Sequence, residues 1–212
     1  MSILFNHAIR HERLSQGKNP IRLVRQSAER SRTPEVLEAP EVERLLSRLN
    51  SPYRLMVLLA VTTGLRRGEL FPLKWGDIDL CSLTLHVRRS IYMLTIGNCK
   101  TPTSKKDRPL SDYVGSELEY WQQTSNYREA NDWVFASPRS SGRNPYWPAL
   151  LLTRTIRPAA RRAGIQKRIG WHTFRHTYST MLVANGENVK VIQELMRHAI
   201  CDMQVVELHS RD

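Results

Sequence analysis

Residues 54–62 constrain this chain more than any other stretch, because the run Leu55-Met56-Val57-Leu58-Leu59-Ala60-Val61 is apolar nearly all round. A helix without a polar face has to be enclosed by other elements on every side. The run is also much too short to cross a bilayer, which needs about 20 apolar residues. It therefore predicts a central buried helix with the rest of a domain wrapped round it. Thr62-Thr63-Gly64 punctuates its end, and glycine is the residue best suited to the left-handed conformation that closes helices.

The flanking sequence supplies the wrapping. Val42, Leu45, Leu46 and Leu49 recur at helical spacing and predict a helix with one buried face. Arg66 to about Leu73 reads as a second short helix after the glycine break. Leu83, Leu85 and Val87 then alternate with Thr84, His86 and Arg88 as a strand does, and a β-like run from Ile91 to Ile96 reaches a Gly97-Asn98 turn. Lys100 to Arg108 is a basic bend before Pro109-Leu110. Helix is predicted again over 114–123, over 147–163 with disturbance at Pro148 and Pro158, over 173–184, and over 189–197 with Asn188 as a cap. The fold class is mainly α with a small antiparallel β-sheet, an α+β arrangement. Residues 3–14 form a separate short amphipathic helix, broken at Gly17-Lys18-Asn19-Pro20 and joined by a basic connector to Pro34. This predicts a boundary between a 1–33 fragment and a 34–212 domain.

Charge narrows the partner. Of 212 residues, 32 are Lys or Arg against 20 Asp or Glu, a formal charge of +12 spread along the chain. That favours a polyanion, although a basic surface that serves only solubility has the same composition. Cys81, Cys99 and Cys201 form no C-x-x-C pair and follow no secretory leader, so a reduced, cytoplasmic protein with no membrane contact is expected. His172 and His176 have the i, i+4 spacing of a zinc-protease pair, but Thr173 stands where that motif needs glutamate, and no metal is predicted.

Cutting a phosphodiester needs positive charge on the non-bridging oxygens, an acid for the leaving oxygen and a nucleophile in line. Arginine suits the first task, since its planar fork grips phosphate bidentately and stays charged at any working pH. Arg66 sits just past the helix break, with Glu69 three residues on to orient it, although a solvent-facing arginine paired with glutamate gives the same pattern. Arg67 competes for the role. His172 and Arg175, three apart, share a helical face, while Phe174 and Tyr178 belong to the core.

Thr63-Gly64-Leu65-Arg66 with Glu69-Leu70, then Lys100-Thr101, then His172-Thr173-Phe174-Arg175-His176-Thr177, then Leu195-Met196-Arg197-His198 resemble, in that order, the catalytic domain of the tyrosine recombinase or phage integrase family. The match spans roughly residues 34–198, and residues 3–33 resemble the last helix and linker of that family's N-terminal DNA-clamping domain. The resemblance implies site-specific DNA integration and recombination on double-stranded DNA, through a covalent 3′-phosphotyrosyl link and without metal or nucleotide cofactor. Intact relatives act as a tetramer of protomers. It further implies that Arg66 and Arg175 hold the scissile phosphate and that His172 hydrogen-bonds it or assists proton transfer. Lys100 would be the general acid on the leaving 5′-oxygen, with Lys105 and Lys106 as rivals, and His198 would add a hydrogen bond to the phosphate.

The pattern is departed from at one chemically decisive place. The nucleophilic tyrosine should lie on the helix after His198, where Glu207 and Leu208 stand, and no tyrosine follows Tyr178. Leucine has no nucleophile, and neither Tyr178 nor His209 has the right place in the chain. The expectation is a chain incomplete at both ends, through truncation or frameshift after His198, and impaired in catalysis. The alternative is a non-catalytic DNA-binding remnant that occupies sites or modulates a full-length partner; RNA binding is a weaker rival, since no glycine-aromatic RNA-binding signature occurs in the strands.

Overall fold

The computed structural model describes residues 9–11, 13, 35–92, 95–98, 107–184 and 186. The chain divides into two compact units, Met1–Thr33 and Pro34–Asp212. Of the first unit only Ile9, Arg10, His11 and Arg13 are described, with Ile9 and Arg10 helical. The rest of the 3–14 helix and the whole of the 189–197 helix lie outside the described residues.

In the second unit, helix α1 (Ala39–Leu46) begins where the Glu41 carboxylate accepts the Glu38 backbone N–H at 2.8 Å, and it buries Val42 and Leu45. Leu49, just past its end, extends the same apolar stripe. Helix α2 (Tyr53–Thr63) is the predicted central helix, with every residue from Leu55 to Val61 buried. Gly64 closes it at φ 62°, ψ 21°, a conformation that costs an L-residue about 1–2 kcal/mol. Helix α3 (Arg67–Leu70) is shorter than the 66–73 expected. Pro72 is the physical reason, since it offers no N–H to continue the ladder beyond Phe71, whose own angles are still helical.

Among the described residues the β-structure falls into two small antiparallel sheets. Strands β1 (Ile78–Asp79), β2 (Thr84–Leu85) and β5 (Arg108–Pro109) form an antiparallel sheet in the order β1-β2-β5. Strands β3 (Arg89–Tyr92) and β4 (Thr95–Asn98) form a separate hairpin. Gly97 and Asn98 are therefore not the predicted turn. They pair in register with Ser90 and Arg89, and the chain reverses between Tyr92 and Thr95. A Cβ at Gly97 would meet nothing within 4 Å, so this glycine is an open strand position. The alternation over 83–88 marked burial more faithfully than pairing. Leu85 and Val87 are buried, yet only Thr84 and Leu85 belong to a ladder, because Leu83 has φ 49° and breaks the extended run.

Helix α4 (Asp112–Thr124) starts at Ser111, whose hydroxyl accepts the Val114 N–H, and buries Val114 and Leu118. The predicted 147–163 helix is three pieces: α5 (Pro148–Leu151), a π-turn over Leu152–Ile156 and α6 (Arg157–Arg162). Pro158 lacks the N–H that an α-ladder requires there, and a widened turn just before it lets the chain continue helically. Helix α7 (Trp171–Ala184) packs along α2 and completes the core. Among the described residues no helix is long and apolar enough to cross a membrane.

Three ties far apart in sequence hold α7. Trp171 stacks edge-on against Phe71 at 5.0 Å and Phe174 at 5.7 Å between ring centroids. Its indole N–H donates to the Pro148 carbonyl at 2.9 Å. One turn beyond Phe174, the Thr177 hydroxyl accepts the buried Leu37 N–H at 2.9 Å. Truncating a buried aromatic of this kind costs about 3–5 kcal/mol, so the first turn of α7 has little freedom to move.

Candidate active site

Gly64 is the hinge of the site. Its left-handed turn ends α2, buries Leu65 and brings Arg66 to the head of α3. Glu69, itself only 4% exposed, holds Arg66 twice. One carboxylate oxygen accepts the Arg66 backbone N–H at 2.9 Å, and the other meets Nη1 at 3.2 Å. The Arg66 side chain stays about one-third exposed, so its charge is oriented by protein and still open to an incoming anion.

Arg175 reaches the same place from below. It is 1% exposed, and its Nη1 donates to the Gly64 carbonyl. The carbonyl that Arg175 meets lies two residues before Arg66 in the chain. Arg175 bears on His172 together with the more exposed Arg67 and Arg66.

His172 lies at the exposed edge, and its pKa is lowered from the ordinary histidine value. Loss of water on its protein-facing side is the larger cause, followed by the positive charges of Arg67, Arg175 and Arg66. The ring is a neutral hydrogen-bonding group near neutral pH until an anion enters. His176, one turn on and half-buried, is lowered by burial and then by His172 and Arg175. The cluster is thus a concentration of positive charge against which a phosphate's negative charge would be compensated.

Of the residues singled out from sequence, Arg66, Glu69, His172 and Arg175 are brought together. Lys100, its rivals Lys105 and Lys106, His198, Glu207, Leu208 and His209 lie outside the described residues. The hairpin that precedes Lys100 is set firmly against α3. A Cβ at Gly68 would fall 2.7 Å from the Ile91 carbonyl oxygen, a separation only glycine permits. The base of the hairpin is anchored by Arg89, which pairs with the buried Asp77 at 2.5 Å. Tyr178 is half-buried and borders a hollow of about 280 Å³ with Val61, Leu110 and Met181, and unlike Phe174 it is not part of the buried core. No group of three or more His, Cys, Asp or Glu side chains able to hold a metal occurs among the described residues.

Sequence reasoning missed the Gly64 carbonyl as the Arg175 partner, 111 residues away, and the Trp171–Pro148 and Thr177–Leu37 bonds. No local spacing signals such contacts. Arg67 was noted only as a competitor of Arg66, yet its charge acts on His172 ahead of the other two arginines.

The model of the phage integrase family matches residues 35–210. A tyrosine recombinase of Pseudothermotoga lettingae is 31% identical over 201 residues, covering 93% of this chain and 64% of the relative. The prophage integrase IntR of Escherichia coli is 28% identical, covering 80% of this chain and 46% of its own. The chain thus spans less than two thirds of the length of these relatives. Among solved structures, the XerA recombinase superposes with a TM-score of 0.62 at 25% identity, covering 80% of this chain and 58% of that one. The Tn1549 transposon integrase, solved in complex with a circular intermediate DNA, reaches a TM-score of 0.74 at 20% identity over 93% of this chain and 68% of that one, a likeness of fold. The chain belongs to the phage integrase family.

Proposed function

We propose that this chain binds double-stranded DNA and positions a scissile phosphodiester in the manner of a site-specific tyrosine recombinase, in the cytoplasm and together with further recombinase protomers. The observation that carries the reading is the pair of arginines held by protein, Arg66 by Glu69 and Arg175 by the Gly64 carbonyl, both acting on His172. Two fixed guanidinium groups and a neutral imidazole are the donors that a phosphate passing through a five-coordinate state needs. In the family's reaction a tyrosine oxygen, for which this sequence offers no residue after Tyr178, forms the new bond to phosphorus as the bond to the 5′-oxygen breaks; here Lys100 would protonate that 5′-oxygen and His198 would add a donor to a non-bridging oxygen. Arg66 and Arg175 would balance the charge that builds on those oxygens.

The absence of any tyrosine after Tyr178 in this sequence favours a second reading, a DNA-binding protein without strand cleavage that occupies sites or modulates an active partner. One experiment separates the two. A nicked suicide duplex carrying the cognate site is incubated with the chain, and denaturing gels are read beside a native shift assay. A salt-dependent shift with no covalent adduct is the expected result, because no tyrosine follows Tyr178, and a protein-linked 3′-phosphate would overturn that expectation and the second reading with it. Absence of any DNA shift, with folding intact, sinks both.

A further inference from the structure

Outside the arginine–histidine cluster, a self-bonded loop carries two exposed arginines with no part in the chemistry above. Residues 137–145 close on themselves. The Ser137 N–H donates to the Asn144 carbonyl at 2.8 Å, and Ala136 and Pro145 form an antiparallel bridge. The Ser140 hydroxyl serves the Asn144 N–H at 3.0 Å. The Arg143 carbonyl accepts the Trp133 indole N–H at 3.1 Å, and a Cβ at Gly142 would lie 2.3 Å from the Tyr127 ring. A loop so tied loses little conformational freedom on binding, which lowers the cost of contact.

Arg139 and Arg143 are both exposed on this loop, and neither joins any of the ion pairs found among the described residues. Next along the chain, Trp147 is 42% exposed. Its neighbour Pro148 accepts the indole N–H of Trp171, so the segment that follows the loop is tied to the first residue of α7. A rigid element that offers two cations outside any ion pair and an exposed aromatic plane, in a domain with a separate anion site, fits a continuous polyanionic backbone better than it fits a compact anion.

We propose that the 137–145 loop, with Arg139, Arg143 and Trp147, is a second contact to the DNA backbone, holding phosphates that flank the scissile one. This inference rests on the DNA-binding reading above. Each phosphate neutralised releases counterions and contributes roughly 0.9 to the slope of log affinity against log salt. The double variant Arg139→Gln/Arg143→Gln should therefore lower that slope by about 2 in anisotropy titrations of a labelled duplex, while Arg139→Lys/Arg143→Lys should keep it. Thermal melting, unchanged in both, separates the effect from loss of the Arg143–Ser140 hydrogen bond. Trp147→Ala should weaken binding several-fold without altering the slope. A wild-type slope retained by the glutamine double variant overturns the proposal and leaves DNA binding standing. Absence of salt-dependent DNA binding by the wild-type chain removes the reading on which it rests.

Discussion

The two arginines at the heart of the site are fixed by opposite means. Arg66 stands at the rim, one-third exposed, held by a carboxylate three residues away on its own short helix. Arg175 lies in the floor, almost wholly buried, held by a neutral carbonyl 111 residues away and by a helix whose first turn is locked in an aromatic cluster. The rim half depends on local electrostatics, which salt and solvent weaken. The floor half depends on packing, which they hardly touch. The site therefore joins an adjustable cation to an immovable one, and the Gly64 turn sets the distance between them.

That contrast can be broken from the floor first. Trp171→Ala removes two aromatic contacts and the bond to Pro148, and should destabilise the fold by about 3–5 kcal/mol, lowering Tm by about 10 °C in thermal melts. If it melts within a degree or two of the wild type, packing does not hold the floor. Arg175→Lys keeps the charge and loses the fork that meets Gly64. It should cost about 2 kcal/mol of stability and at least tenfold in DNA affinity.

At the rim, Glu69→Gln should cost only about 1 kcal/mol, because the amide oxygen still accepts the Arg66 N–H while the ion pair is lost. Its DNA affinity should fall several-fold, and the deficit should shrink as salt rises. A loss as large as that of Arg175→Lys would erase the distinction between rim and floor.

The smallest expected effect is on pH. His172 and His176 have folded pKa values lowered below the ordinary histidine value of about 6.5, so in that window the unfolded chain binds protons that the folded chain refuses. Stability is then fully present above the unfolded value and is lost as pH falls through the folded values. Tm should decline between about pH 7.5 and 5.5, and less steeply in a His172→Gln/His176→Gln variant. Equal slopes for the two proteins would show that neither burial nor the arginine cluster holds these rings below the ordinary value.

Much of the frame was legible because its signals are local. The apolar run over 55–61 became α2, Gly64 became its left-handed stop, and Glu69 meets Arg66 at the three-residue spacing that suggested it. The early end of α3 was equally readable in Pro72, although the helix was expected to run on to Leu73. Gly97-Asn98 misled because a dipeptide preference is weaker than strand pairing, which uses backbone groups and ignores side-chain type.

The sequence by itself determined which side chains are charged, which helix is buried and where the chain turns, because propensity and periodicity act over a few residues. Only the tertiary structure decided that Arg175 meets the Gly64 carbonyl, that Gly68 must let the Ile91 carbonyl approach, and that three arginines bear on His172. Those facts depend on which surfaces of α2, α3, β3 and α7 come into contact. That choice is made by the packing of the whole domain, to which no short window of sequence has access.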